Sequence, residues 1–492
     1  MLFRAFLERS QIQYNISAMK ILLVKPPLNR NLLVPNHDEP LELEYLAAAA
    51  AGHDVRILDM RLEGNLDRAL SRFRPGLVGI TAYTCDYNSA LSVLREVKKF
   101  DRNIRTAAGG HHATVLPADF ALPFVDVIFL GASDDSFKEY VDLMDAGRSV
   151  EGVNNIALVR DGALHMTDRA PFNKNLDLLP FPDRRLTLHY RSRYRDTMNN
   201  KTGLIMTSRG CPFRCSFCAC WKIMEGKYLA RSPESVVDEI AAMPEEVELI
   251  CFADDNTLQN IRRAWRLVEL VRERGIRKKF MMYARADTIV DNPDLMEAMK
   301  DIGLNYVLVG IESFKDAALS GLNKKVTSRT NKEAVRLLKK IGIRISPHLI
   351  VDPEFTRDDF RDLLRCVYEM ELFQPVFTVL TPLPGTELYE QNSGRLAIRD
   401  YDFFDFTHSV LPTRLPRREF YRLYAKLYTK SYSFKRYFQG LLRNLAAMGR
   451  SSKRRTRPHP DRIPFLPLVI LHAAAFPKYR KILRRHKTEP CL

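Results

Sequence analysis

The chain has 492 residues, of which 46% are hydrophobic and 27% charged, proportions of a globular protein with roughly two to four domains. They exclude wholesale disorder, a fibrous repeat and a multi-span membrane protein. The net charge of +17 is unevenly placed: residues 411–492 hold 21 Lys+Arg against 3 Asp+Glu, a net +18, which leaves the rest at −1.

Taken in order, residues 1–18 have no sustained apolar core and read as an extension ahead of Met19, not as a secretory signal. From there strand-like and helix-like runs alternate. Residues 21–24 form a first strand, ended by Pro26 and Pro27. Residues 41–51 form a helix that stops at Gly52. Strands follow at 55–58 and 77–81, a helix at 88–99, and strands at 104–108 and 125–130. Such β-α-β alternation predicts a doubly wound parallel sheet, whose ligands bind beyond the carboxyl ends of the strands. The loops 25–29, 82–85 and 109–114 are therefore the ones to watch. This first domain spans 19–150. Residues 151–200, proline-containing and rich in arginine, read as a connector.

A second alternation occupies 201–395. Its strands are predicted at 203–207, 249–253, 280–284, 306–311, 345–351 and 376–381. Helices fall between them at 233–243, 261–275, 293–302, 331–341 and 357–370. Six β-α units make a partial barrel or a large parallel sheet, short of a full eight-unit barrel. Aromatic residues then crowd at Tyr401, Phe403, Phe404 and Phe406, and a helical region runs to 450. The tail, 451–492, is basic around an apolar stretch at 463–476. Fourteen residues are too few to span a bilayer, which needs about 20. The stretch suits either the surface of an anionic membrane or packing into a core. Basic tails also attract phosphates, but no nucleic-acid recognition module accompanies this one.

Eight cysteines are present, and Cys211, Cys215, Cys218 and Cys220 fall within ten residues. That clustering in a long chain points to metal or redox chemistry in a reducing, cytoplasmic compartment rather than to disulfides. Cys211-Pro212-Phe213-Arg214-Cys215-Ser216-Phe217-Cys218 is the strongest signal. Three thiolates at this spacing wrap one corner of a cluster and leave one iron of a four-iron cluster open. Zinc would want a fourth ligand at a matching spacing, and Cys220, one residue beyond Cys218, is too near. Cys220, Cys251, Cys366 and Cys491 read as small packed residues.

This Cys-x3-Cys-x2-Cys run, with Phe217 before its last cysteine, resembles the signature of the radical S-adenosylmethionine (SAM) enzymes. The resemblance implies a 4Fe-4S cluster on Cys211, Cys215 and Cys218. It also implies SAM chelating the open iron, a 5′-deoxyadenosyl radical, and a flavodoxin- or ferredoxin-like electron donor. Ala253-Asp254-Asp255-Asn256 stands where the family has Gly-Gly-Glu; the glycines are missing, and either Asp254 or Asp255 takes the methionine ammonium. Glu312, ending the fourth strand, stands where the family has a carboxylate for the ribose. Arg285 is placed for the SAM carboxylate. Residues 349–356 resemble the fifth-strand adenine motif with Asp352 for its usual glycine, and Leu383, in Pro382-Leu383-Pro384-Gly385-Thr386, would offer backbone to adenine. One at a time these are ordinary: an acidic turn, a loop acid, an arginine paired with Asp287. Their shared position at strand ends downstream of the triad is what assigns them to SAM.

The first domain resembles the cobalamin-binding domain of the class B radical SAM enzymes. The matching runs are Leu43-Glu44-Tyr45-Leu46-Ala47, Gly52-His53-Asp54-Val55, Thr81-Ala82-Tyr83 and Gly109-Gly110-His111-His112-Ala113-Thr114. The resemblance implies cobalamin contacts at Pro26, Thr81, Ala82, Tyr83, Gly109, Gly110 and His111. Methionine-synthase-type domains supply a cobalt-binding histidine after the first strand; here that position reads Lys25-Pro26-Pro27-Leu28-Asn29. The implied state is base-off, with His111 and His112 structural or polar contacts to the cofactor. No Gly-x-Gly-x-x-Gly follows the first strand, which disfavours a dinucleotide.

Within class B, the runs Ala219-Cys220-Trp221-Lys222, Phe252-Ala253-Asp254-Asp255-Asn256-Thr257, Tyr283-Ala284-Arg285-Ala286-Asp287 and 406–413 most resemble the hopanoid C-3 methylases. This implies a methyltransferase acting on an unactivated carbon of a hydrophobic, hopanoid-type lipid, with the tail on the inner face of the membrane. The rival enzyme is a cobalamin-dependent oxidase or cyclase of porphyrin-cyclase type, or a natural-product methylase. A cofactor-binding sensor without turnover is the rival of another kind.

Overall fold

In the computed structural model, residues 18–29, 37–171, 173–196, 198–372 and 375–431 are described. They divide into two compact units. The first holds residues up to 28, 40–171 and 179–188; the second holds 29, 37–39, 173–178 and 189–431. The expected basic tail and the extension before Met19 lie outside the described residues, apart from Ala18.

The first unit carries a seven-stranded sheet. Lys20–Lys25, Asp54–Asp59, Leu77–Thr81, Arg105–Gly109 and Val127–Phe129 run parallel in the order second, first, third, fourth, fifth. Alternation within one strand explains both faces. Leu22 and Val24 pack with Leu66, Leu70 and Phe73 of the helix Leu66–Phe73. Ile21 and Leu23 pack with Leu43, Phe137 and Tyr140 of the helices Leu41–Ala49 and Asp134–Asp145. A strand buried on both faces reads as a continuous apolar run, which is why this part of the fold is legible. The order reverses between the first and third strands, the place along such a sheet where ligands bind beyond the strand ends.

Three details differ from expectation. The segment expected as a connector contains two more strands, Ile156–Arg160 and Ala163–Met166, which extend the sheet antiparallel. Ala163–Met166 is an edge strand with little buried surface, so it leaves a weak hydrophobic signal. Leu41–Ala49 ends at Ala50, before the glycine. Gly109 closes the fourth strand rather than following it.

The second unit is a curled, open sheet of six parallel strands in sequence order: Thr202–Ile205, Leu249–Phe252, Lys279–Ala284, Leu304–Glu312, Arg344–Val351 and Val376–Val379. Pro233–Ala242, Ile261–Glu273, Pro293–Asp301, Ser328–Ile341 and Arg357–Glu369 fill the crossovers and share one core with the strands. Their starts are chemically marked. Ser232, Asn260 and Thr327 each accept a backbone N–H, and Thr356 with Asp359 forms a reciprocal capping box. Arg417–Ser431 does not form part of a separate helical domain, as the sequence suggests. Instead it buries Phe420, Tyr421, Tyr424 and Leu427 in this same core, and Tyr424 Oη donates to the Phe377 carbonyl at 2.8 Å. No helix among the described residues is long and apolar enough to cross a membrane.

Candidate active site

The cysteine loop leaves the first strand of the second unit and is closed at its base by a short antiparallel pair, Ser208–Arg209 with Leu229–Ala230. Gly210 holds φ +86°, and a Cβ there would lie 2.2 Å from the Lys227 carbonyl oxygen, so only glycine fits. Other elements tie the loop down. Ser216 N donates to Leu322 O at 3.1 Å, Leu388 N to Ser216 O at 2.9 Å, and Asn323 Nδ2 to Arg214 O at 2.6 Å.

Cys215 is buried; Cys211, Cys218 and Cys220 are half-buried. Burial raises the Cys211 and Cys215 thiols, while a hydrogen bond from Cys220 holds Cys218 below the ordinary thiol value. The three motif cysteines act on one another electrostatically. Yet among the described residues no three His, Cys, Asp or Glu side chains are placed to hold a single metal ion. The three cysteines come from one loop, and three thiolates on one loop are the donor set for the corner of a multi-iron cluster.

The two aspartates part company. Asp254 is 3% exposed and spent on the loop. Its carboxylate accepts Thr207 N at 2.6 Å, Thr207 Oγ1 at 2.5 Å and Ser208 N at 2.9 Å. Burial still pushes it above the usual carboxylate range. Asp255 is exposed, accepts Gly210 N at 2.9 Å and lines a cavity of about 420 Å³. Of the two candidate aspartates, Asp255 is in the cavity wall and Asp254 is not.

Phe217, Arg285 and Glu312 line the same cavity. Arg285 is also held: its guanidinium pairs with Asp287 at 2.7 Å, donates to Lys324 O at 3.1 Å and lies 3.5 Å over the Phe213 ring. Glu312 sits at a register shift with φ +54° and pairs with Lys324 Nζ at 2.7 Å. Leu383 is not in the cavity wall, and its carbonyl accepts both the N–H and the hydroxyl of Thr386.

Sequence reasoning missed Lys324 and His348. Burial lowers both, but for Lys324 the charges of Glu312 and Cys215 prevail and raise it. Lys324 follows a short helix in a loop with no pattern to mark it. His348 was signalled only by alternation: with Ile350 it occupies the cavity side of its strand, and its Nε2 is buried without a hydrogen-bond partner.

In the first unit, the three loops named for cobalamin come together. Ala82 N donates to Gly109 O and His112 N to Ala82 O. Gly110 takes φ +95°, where a Cβ would lie 2.8 Å from Thr81 Oγ1 and 2.9 Å from both Ala82 N and Ala82 O. The glycine therefore lets this loop pack directly against Thr81 and Ala82, which draws the ends of the third and fourth strands together. Lys25 Nζ lies 5.3 Å over the Tyr83 ring, whose neighbour at 4.9 Å is His111. Pro26 is buried beside them in sequence. Lys25 also pairs with Glu42 at 2.6 Å; burial alone would raise that carboxyl, but the lysine carries it below its ordinary value. His112 is fully buried with both nitrogens engaged, Nδ1 by Thr84 Oγ1 at 3.2 Å and Nε2 by Asp119 Oδ2 at 3.1 Å.

A family model for the radical SAM superfamily matches residues 205–367, and one for the B12 binding domain matches 34–141. The hopanoid C-3 methylase of Methylococcus capsulatus is 29% identical over 415 residues, 82% of this chain and 78% of that one. An uncharacterized methyltransferase of Pyrococcus horikoshii is 30% identical over 387 residues, 76% and 83% of the two chains. The anaerobic magnesium-protoporphyrin IX monomethyl ester cyclase of Rubrivivax gelatinosus is 26% identical over 419 residues, 82% and 75%. Among solved structures, the cobalamin-dependent SAM radical enzyme OxsB, with aqua-cobalamin and SAM bound, superimposes with a TM-score of 0.70 at 15% identity, covering 94% of this chain and 72% of that one. The chain belongs to the cobalamin-dependent radical SAM methyltransferases. Its cofactors are a 4Fe-4S cluster, SAM and cobalamin.

Proposed function

We propose that this methyltransferase acts on an unactivated carbon of a hydrophobic polycyclic lipid of hopanoid type. The observation that carries the reading is the mixed wall of the cavity. Asp255, Arg285, Glu312 and Lys324 lie in it with Tyr283, Leu308, Ile350, Leu380 and Phe406. Charged groups suit the zwitterionic cofactor; the apolar ones suit a substrate with little to hydrogen-bond. Similarity to the hopanoid C-3 methylase over most of both chains supplies the substrate class.

In this reading Cys211, Cys215 and Cys218 hold the cluster. Phe217, Asp255, Arg285 and Glu312 hold SAM, while Asp254 positions the cysteine loop. Pro26, Thr81, Ala82, Tyr83, Gly109, Gly110 and His111 surround cobalamin. When bound, these cofactors supply a radical able to remove an unactivated hydrogen and a transferable methyl group. The chain's own share is orientation and dryness. Lys324 fixes the Glu312 carboxylate in one direction, Asp287 does the same for the Arg285 guanidinium, and a hydrophobic substrate seated on the apolar wall excludes water. Neither histidine of the Gly109–Gly110 loop binds cobalt. Electron paramagnetic resonance of the cob(II)alamin form is expected to lack nitrogen superhyperfine splitting. A splitting that vanishes in His111→Ala or His112→Ala would refute this.

The basic, apolar tail places the enzyme on anionic membranes, where such a substrate resides. Each basic residue near the surface contributes about 1 kcal/mol, and the apolar stretch adds a part that salt does not screen. One experiment tests substrate and tail together: mass spectrometry of lipids from cells without the gene, with it, and with a version truncated after Gly449. The full gene is expected to add one methylene unit to a polycyclic lipid. Truncation is expected to lose that product while the purified truncated protein still cleaves SAM. Unchanged lipid masses with the full gene sink the lipid reading, and an oxidised or cyclised product without the added methylene turns it toward the oxidase or cyclase rival.

A further inference from the structure

Phe406 lines the cavity with φ +62°, a backbone conformation that large side chains rarely adopt. Among the described non-glycine residues with positive φ it is the only aromatic one; the others are polar or charged. The turn that carries it is built to hold the strain. Asp405, 4% exposed, accepts the N–H groups of Thr407 at 2.9 Å and His408 at 3.0 Å, and its second oxygen meets His408 Nδ1 at 2.8 Å. The Phe406 carbonyl accepts Val379 N at 2.7 Å, which docks the turn on the end of the sixth strand. His408 is packed 5.2 Å from the Phe403 ring, and Tyr421 Oη accepts Ser409 N at 2.7 Å.

All this holds a ring that is itself 43% exposed. Tyr283, from the third strand of the same sheet, lines the same cavity at 44% exposed. A strained backbone with an exposed ring gains little from folding. Strain kept by surrounding hydrogen bonds is characteristic of ligand clamps. We propose that Phe406, with Tyr283, forms an aromatic platform for the fused-ring face of the substrate, and that it selects rigid ring systems over open chains. The proposal rests on the lipid reading above and names the residue that sets its specificity. A flat polycycle lies broadside on an aromatic face and has no torsions to freeze. A flexible chain of the same apolar area loses conformational freedom on binding.

The test is equilibrium binding to the reconstituted holoenzyme, in one detergent, of diploptene as the fused-ring probe and squalene as the open-chain probe. The wild type is expected to bind diploptene at least about tenfold more tightly than squalene. Phe406→Leu and Phe406→Gly are each expected to lose most of that preference. Glycine is at ease at φ +62°, so Phe406→Gly is expected to unfold at or above the wild-type temperature. Loss of ring preference at preserved stability then assigns the effect to the ring and not to the fold. Both variants binding diploptene like the wild type overturns the proposal and leaves the lipid reading standing. A wild type that binds neither probe, in cells whose lipids the gene leaves unchanged, overturns both.

Discussion

Replacing Cys211, Cys215 or Cys218 with alanine is expected to abolish SAM cleavage in each case, whereas Cys220→Ala keeps it. The reconstituted wild type should hold about four irons, three of them on protein thiolates. Each thiolate is one corner of the assembly, so losing one leaves two anchors and a second open iron. Cys220 is different in kind. It follows Cys218 after a single residue and opens the helix Cys220–Ile223, which leaves no room for it to reach a separate corner. Its removal takes away no anchor. Iron analysis and chromatography of 5′-deoxyadenosine decide the matter. A Cys220→Ala protein as depleted in iron as the triad variants would show that the open-iron arrangement is wrong.

Asp254→Ala and Asp255→Ala are expected to fail in opposite ways, although the two residues are adjacent. Asp254 is buried and accepts three hydrogen bonds from Thr207 and Ser208. Truncating it strands buried donors and costs about 2–3 kcal/mol of stability. It also loosens the entry to the cysteine loop, so iron content is expected to fall with it. Asp255 stands at the cavity with a bond to Gly210 N that water can replace. Its removal is expected to leave the unfolding temperature unchanged and to weaken SAM binding about tenfold or more, the loss of one charge-assisted contact. Thermal unfolding and equilibrium dialysis with SAM read the two effects separately. Should Asp255→Ala unfold early while Asp254→Ala binds SAM poorly at full stability, the two aspartates have exchanged roles.

The cluster motif was legible in the sequence because its chemistry is local. Three thiols separated by three and then two intervening residues meet within one loop whatever surrounds it. The two α/β sheets were legible for a related reason: strands buried on both faces show as apolar runs, and helix-like stretches alternate with them. The edge hairpin Ile156–Arg160 with Ala163–Met166 passes for a connector in the sequence, since its second strand has little buried surface to mark it. Which aspartate faces the cavity was beyond the sequence. Asp254 and Asp255 are chemically identical neighbours, and only the folded chain turns one into the loop and the other toward the cavity. Arg285 illustrates the same limit, since its position after the third strand was readable but its engagement by Asp287 and the Lys324 carbonyl was one of several readings. Lys324, His348 and Phe406 come from different elements and carry no shared spacing along the chain. Their meeting depends on sheet curvature, on a register shift at Glu312 and on a turn held by Asp405. Burial and backbone strain are properties of the packed molecule, so the cluster could be read from the chain while the walls of the cavity required the fold.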